Sequence, residues 1–227
     1  FSLIYVKDVI ERNKLKAETS VLEELLNVVS SAVGSLTNPS KIADTFQSVK
    51  KLKIKNDTIA RYLDYFVDAF VLHKAFRYDI KGRSYINTPL KYYFSDIGLR
   101  NARLNFRQHE ENHIMENVLY NELKARGFNI DVGVVPIRKK QVDGKMEQAN
   151  LEVDFVVNKG SRRYYIQSAL TVLEEEKRLQ EVNSLNRIND SFTKIVVSKD
   201  DTLPWTDERG VQYMNIEDFL LKKIDEL

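Results

Sequence analysis

Cysteine is absent from the 227 residues. Disulfide scaffolds, thiolate zinc sites and cysteine nucleophiles are therefore excluded. Glycine (8) and proline (4) are scarce. The glycines are scattered, and no G-x-x-x-x-G-K-[ST] phosphate loop is present, so ATP binding by that route is not expected. No run approaches the ~18 to 20 apolar residues of a membrane helix. No basic stretch followed by an apolar one opens the chain, so a secretory signal is not expected either. A cytoplasmic protein without a membrane partner is the expectation. The chain starts at Phe1 rather than Met, which suggests a piece of something longer. Excess charge of one sign is lacking too, since 35 Lys+Arg against 33 Asp+Glu leave +2. With 43% apolar residues, that balance argues against disorder and for one large domain or two small ones.

The charge is unevenly spread. Residues 1–37 carry −1, residues 38–107 carry +8 from 14 basic and 6 acidic side chains, and residues 108–227 carry −5. A basic block of this kind is a candidate footprint for nucleic acid, with a lysine-rich but unspecialised surface as the alternative.

The first segment, 1–37, reads as a helical linker. Asp8 to Asn13 suggests a short polar helix, and a second helix capped by Thr19 or Ser20 puts Val21, Leu22, Leu25, Leu26 and Val29 on one face before Gly34 stops it. Residues 38–107 follow helix-turn-helix logic. Pro39 and Ser40 open a helix with Ile42, Ala43 and Phe46 inward. The basic connection Lys50–Lys55 then leads to Asn56, an N-cap for a helix with Ile59, Leu63, Phe66, Val67 and Phe70 at 3.6-residue spacing. Strands are expected over 71–78 and 85–94, joined by a turn at Lys81-Gly82-Arg83-Ser84. Helix, turn, helix and basic hairpin is the order of a winged helix. Residues 108–227 read as α-β-β-β-α-β, an α/β arrangement with mixed strand directions. Its parts are a helix over 112–126, strands over 129–138, 151–157 and 164–170, a helix over 174–187, a strand over 194–198 and a closing helix over 216–224.

Chemistry has one candidate place. In the 151–157 strand, alternation puts Leu151, Val153, Phe155 and Val157 on one face and Glu152 and Asp154 on the other. Tyr165, Gln167 and Ala169 share a face of the next strand, so Asp154 and Gln167 converge if the two strands pair. Glu116 lies within the apolar arc of the preceding helix, where a carboxylate is costly without a partner, although Glu122 falls in the same arc. A helical Glu, a strand Asp and an oxygen donor on the next strand suit Mg²⁺, which would activate water against a phosphodiester. Spacing alone favours the other reading, in which Glu152 and Asp154 are surface carboxylates bridged to Arg162 and Arg163.

The string Lys91-Tyr92-Tyr93-Phe94-Ser95-Asp96-Ile97-Gly98-Leu99-Arg100-Asn101 resembles the KYY..D.GLRN signature of a prokaryotic family of AAA-type ATPases. The C-terminal half of these proteins is a domain of unknown function. The resemblance continues through Met115 to Leu123, Arg126-Gly127-Phe128, Val132-Gly133, Glu152 to Val156, Tyr165-Ile166-Gln167, Gly210-Val211-Gln212 and Asp218-Phe219-Leu220. It implies a winged helix followed by a restriction-endonuclease-like (PD-(D/E)XK) αβββαβ module, thus an α+β or α/β protein, with ATP bound only by a module missing here. It also implies metal and catalytic positions at Glu116 and Asp154, the acid-or-amide position at Gln167 and the lysine position at Ala169. The last departs from an active nuclease. Losing a preorganised donor of that kind typically costs ~10²–10³ in rate. Lys177 and Lys194 are the lysines to check as substitutes, and cleavage is not expected.

Candidate DNA-binding residues are Lys50, Lys51, Lys53, Lys55, Arg61, Lys74, Arg77, Lys81 and Arg83. The outward row of the 56–70 helix, however, is Asp57, Arg61, Asp64 and Asp68, and three carboxylates repel phosphate. Tyr92, Tyr93 and Phe94 read as core before they read as a base-stacking platform. His109 and His113 have i, i+4 spacing but no evident third ligand. Trp205 reads as a loop anchor. The partners expected are the protein's own ATPase module and DNA, with self-association compatible. Three functions remain in view: a degenerate nuclease-like module with weak, phosphate-directed DNA binding or docking to the ATPase; a Mg²⁺-dependent nuclease using Glu116, Asp154 and Gln167; and a protein-interaction scaffold without a nucleic-acid role.

Overall fold

The computed structural model describes residues 7, 9–12, 19–107, 110–140 and 145–222. The chain is a mixed α/β protein that divides into two compact units, Phe1–Ala75 with Asn87–Asn117, and Phe76–Ile86 with Val118–Leu227. Among the described residues no helix is long and apolar enough to cross a membrane.

The first unit is built in the order α1 (Thr19–Ser31), β1 (Leu36–Thr37), α2 (Pro39–Lys50), α3 (Asn56–Asp68), β2 (Leu72–Asp79), β3 (Ser84–Phe94) and α4 (Ile97–Arg103). The outer ends of β2 and β3 and their turn belong to the second unit. β3 lies between β1 and β2, with Leu36 opposite Lys91 and Thr37 opposite Leu90, antiparallel. Each helix follows from its sequence. Asn38 accepts from Ser40 N at 2.9 Å and Pro39 occupies the first turn, so α2 starts there. α3 buries Ile59, Leu63 and Phe66 along one stripe. The stripe of the first segment is core: Leu22, Leu25, Leu26 and Val29 of α1 pack with Ile42, Phe46, Ile59 and Phe66. Phe70 departs from its expected place on the α3 stripe. The helix ends at Asp68, and Phe70, at φ 57°, is 76% exposed.

α5 (Glu111–Ala125) leads into the second unit. There β4 (Asn129–Lys140), β5 (Met146–Lys159), β6 (Arg162–Ala169), β7 (Thr193–Ser198) and β9 (Val211–Asn215) are neighbours in that order, with the two-residue β8 (Trp205–Thr206) beyond β9. β4–β5 and β5–β6 are antiparallel, while β6–β7 and β7–β9 are parallel. Arg77–Asp79 of β2 pair in parallel with Val132–Val134 of β4. α6 (Glu175–Glu181), a 3-10 turn at Leu185–Arg187 and α7 (Ile216–Leu221) complete the unit.

Two expectations are corrected here. The helix expected over 174–187 stops at Glu181. Val182, Leu185 and Ile188 are all drawn into one core cluster, and the chain passes Asn183-Ser184 without continuing α6. The regular alternation expected through 151–157 also fails. Asp131 pairs with Val156 but Gly133 with Val153, so β5 carries one extra residue in a bulge at Asp154–Phe155. Val153 and Val156 consequently enter the same core cluster, whereas Phe155 meets the ring of Tyr120 at 6.2 Å. The short α4, β1, β8 and β9 were not anticipated.

Candidate functional site

Glu116 is 7% exposed, and its charge is consumed within the first unit. Oε1 accepts from Lys91 Nζ at 2.9 Å and from Tyr93 OH at 2.6 Å, and Lys91 is itself 3% exposed. A buried ammonium beside the carboxylate meets the desolvation cost of each with the charge of the other. Gly34, at φ +70°, lies so close that an added Cβ would stand 3.1 Å from Glu116 Oε2.

The neighbouring residues of the signature serve the same purpose. Asn117, fully buried, accepts from Phe94 N and donates to Phe94 O, both at 2.8 Å, so both backbone groups of Phe94 are satisfied as a β-ladder would satisfy them. Asp96 caps α4 by accepting from Gly98 N at 2.6 Å. Arg100, also fully buried, donates from Nε to Ser30 O at 3.0 Å, and burial lowers its affinity for its proton. Arg103 donates to Asn27 Oδ1 and to Glu23 O, tying α4 to α1. Tyr92, Tyr93 and Phe94 are all at most 3% exposed, so they are core and offer no stacking platform.

In the second unit the bulge holds Asp154, which is 8% exposed. Its Oδ2 accepts from Ser168 N at 2.8 Å, and Gln167 Oε1 lies 3.4 Å from Asp154 N. Gln167 reaches the other way with Nε2, 3.5 Å from Glu181 Oε2 at the end of α6. Burial raises the Glu181 carboxyl above its ordinary range, an effect that the Gln167 contact partly offsets. Ala169 is 4% exposed. Lys177 donates to Glu174 at 2.9 Å and Lys194 to Ile188 O at 2.9 Å, so neither is directed to Gln167. Sequence reasoning brought Asp154 and Gln167 together correctly but missed Glu181, because helix-to-strand contacts leave no spacing signal.

Within the first unit Glu116 is neutralised by Lys91, and within the second Asp154 Oδ2 accepts from Ser168 N. Among the described residues, no three His, Cys, Asp or Glu side chains gather closely enough to hold a metal ion. His109 lies outside the described residues.

The predicted DNA-binding cations fall in both units. Lys50, Lys51, Lys53, Lys55 and Arg61 are exposed in the first, where Lys50 pairs with Glu24 at 3.2 Å. Lys74 is half-buried and pairs with Asp64 at 2.6 Å. Arg77, half-buried, and Lys81 and Arg83, exposed, belong to the second unit. Asp57, Asp64 and Asp68 are exposed along α3 as expected. Trp205 stacks flat on Tyr213, with ring centroids 4.0 Å apart, so it anchors β8 on β9.

Residues 1–110 match the model of a domain of unknown function, DUF8612. An uncharacterised protein of Haemophilus influenzae is 31% identical over 222 residues, which are 98% of this chain and 51% of that protein. The uncharacterised protein MJ1544 of Methanocaldococcus jannaschii is 28% identical over 176 residues, 77% of this chain and 36% of that protein. Among solved structures, the crystal structure of protein VC1899 from Vibrio cholerae aligns with 88% of this chain and 53% of that one at 11% identity, with a TM-score of 0.34. The chain therefore spans about half the length of the first of these relatives and about a third of the second.

Proposed function

We propose that this chain is the non-ATPase part of an AAA-type ATPase, a winged helix joined to a nuclease-like module that no longer cleaves and that binds DNA weakly through its phosphates. The order α1-β1-α2-α3-β2-β3, with β3 between β1 and β2, supports the winged helix. α5-β4-β5-β6-α6-β7, with its two antiparallel pairs and one parallel pair, supports the αβββαβ module. The length of the Haemophilus relative outside the match leaves room for an ATPase module in that protein.

One observation carries the functional half of the reading. The candidate catalytic groups are used within the fold, Glu116 by Lys91 and Tyr93 and Asp154 by Ser168 N, while Lys50, Lys51, Lys53, Lys55, Lys81 and Arg83 stand exposed. A chain that neutralises three to four phosphates loses on the order of 10² in affinity between 50 and 200 mM salt. Fluorescence anisotropy with a labelled duplex should show binding at low salt that weakens on that scale. Absence of binding at low salt, or indifference to salt, refutes the reading. The acidic outward row of α3 favours a second role for that helix, docking to a protein surface rather than reading base edges.

A further inference from the structure

β4 and β5 are longer than the strands beside them. Among the described pairings, β2 accompanies β4 only at Val132–Val134 and β6 accompanies β5 only at Phe155–Lys159. From Pro136 outward, β4 and β5 pair with each other alone: Pro136 with Asn150, Ile137 with Ala149, Arg138 with Gln148, Lys139 with Glu147 and Lys140 with Met146. Five residues at ~3.3 Å each make a two-stranded ribbon of about 16 Å.

Directly opposed residues share a face, so the two faces of this ribbon can be read from its register. One carries Ile137, 9% exposed, half-buried Ala149 and the opposed Lys139 and Glu147. The other carries Arg138, Lys140, Gln148 and Asn150, all exposed, together with Pro136 and Met146, and the first acid on that face is half-buried Glu152, one rung further in, opposite Val134. The base of the ribbon gains further cations from the β2–β3 turn. Lys81 Nζ donates to Pro136 O at 3.1 Å, Arg83 follows, and the nearby Asp79 is occupied in accepting from Lys81 N and Gly82 N.

We propose that this ribbon is an arm that lies against duplex DNA, with Arg138 and Lys140 on phosphates and Gln148 and Asn150 turned to the groove. The proposal rests on the DNA-binding reading above and gives it a surface. A two-stranded β-ribbon fits the ~12 Å major groove, guanidinium and ammonium groups supply the phosphate contacts, and amides pair with adenine edges. The α3 helix, with its row of carboxylates, is then not the element that approaches the duplex.

The test is an anisotropy titration of the full chain with a labelled duplex over a series of salt concentrations. Replacing both cations (R138Q with K140Q) should weaken binding by at least about tenfold at low salt and make the slope of log K against log salt shallower by about 2. The change K139Q, on the other face, should move binding less than about twofold. All three positions are exposed, and thermal melting should be unchanged. If the wild type ignores DNA at low salt, or binds phosphatidylserine vesicles instead, the DNA-binding reading fails and the arm fails with it. If the wild type binds with a salt-dependent slope that R138Q with K140Q leaves intact, or that K139Q reduces equally, the arm alone is overturned.

Discussion

Lys91 and Glu116 put a full charge of each sign where both side chains are more than nine-tenths hidden from water. Removing one partner leaves the other buried and uncompensated, which typically costs about 3–5 kcal/mol. Lys91→Met should destabilise the chain on that scale in urea unfolding. A change within about 1 kcal/mol would mean that Tyr93, with His113 Nδ1 4.0 Å from Oε2, suffices for the carboxylate. The helical pattern of 112–126 raised Glu116 and Glu122 equally, because a wheel shows which residues face inward and not what they meet. Their partners separate them: Glu122 reaches Arg126 one turn on at 2.6 Å, whereas Glu116 meets a lysine 25 positions back, on strand β3. Ala169 drew notice only because the resemblance implies a lysine there, and reading which residue stands at a position needs no fold.

At the level of elements, the long periodic segments were legible and the short ones were not. α1, α2, α3 and α5 and most of the strands lie within a few residues of where hydrophobic spacing puts them, because each buries a continuous face. β1 and β8, two residues each, carry no period at all. The shortened α6 matters most, since it ends on Glu181 beside Gln167 of β6. Burial holds the folded carboxyl above its ordinary value of 4.5, so the fold favours the protonated form. The stabilisation is present at pH values below the unfolded value and is lost as pH rises through the raised one. Glu181→Gln should therefore gain on the wild type in urea unfolding between pH 5 and pH 7. Parallel pH profiles, or a wild type that gains as pH rises, would contradict the burial argument.

For the whole chain, charge was only partly readable. The −5 of residues 108–227 hid the run Arg138-Lys139-Lys140, because a segment total averages a local cluster away. The basic character of 38–107 was plain, yet the fold divides those cations between two units. Enzymatic activity is the other whole-chain question. On the proposed nuclease-like reading, with Lys91 on Glu116 and Ala169 where the resemblance implies a lysine, supercoiled plasmid incubated with Mg²⁺ or Mn²⁺ should show the same background nicking for the wild type and for Asp154→Asn. Metal-dependent nicking that the substitution abolishes would restore the nuclease.

The extra residue in β5 gives that strand one place where it can shorten. Asp154 and Phe155 together stand opposite Val132, so losing a single codon there leaves one residue against one and keeps Val156 on Asp131 and Val153 on Gly133. A codon lost elsewhere in the strand has no such slack, and the period of two turns one side of the cut over. The effect of an in-frame deletion is therefore set by its position: at the bulge it straightens the ladder, and away from it a whole face is everted.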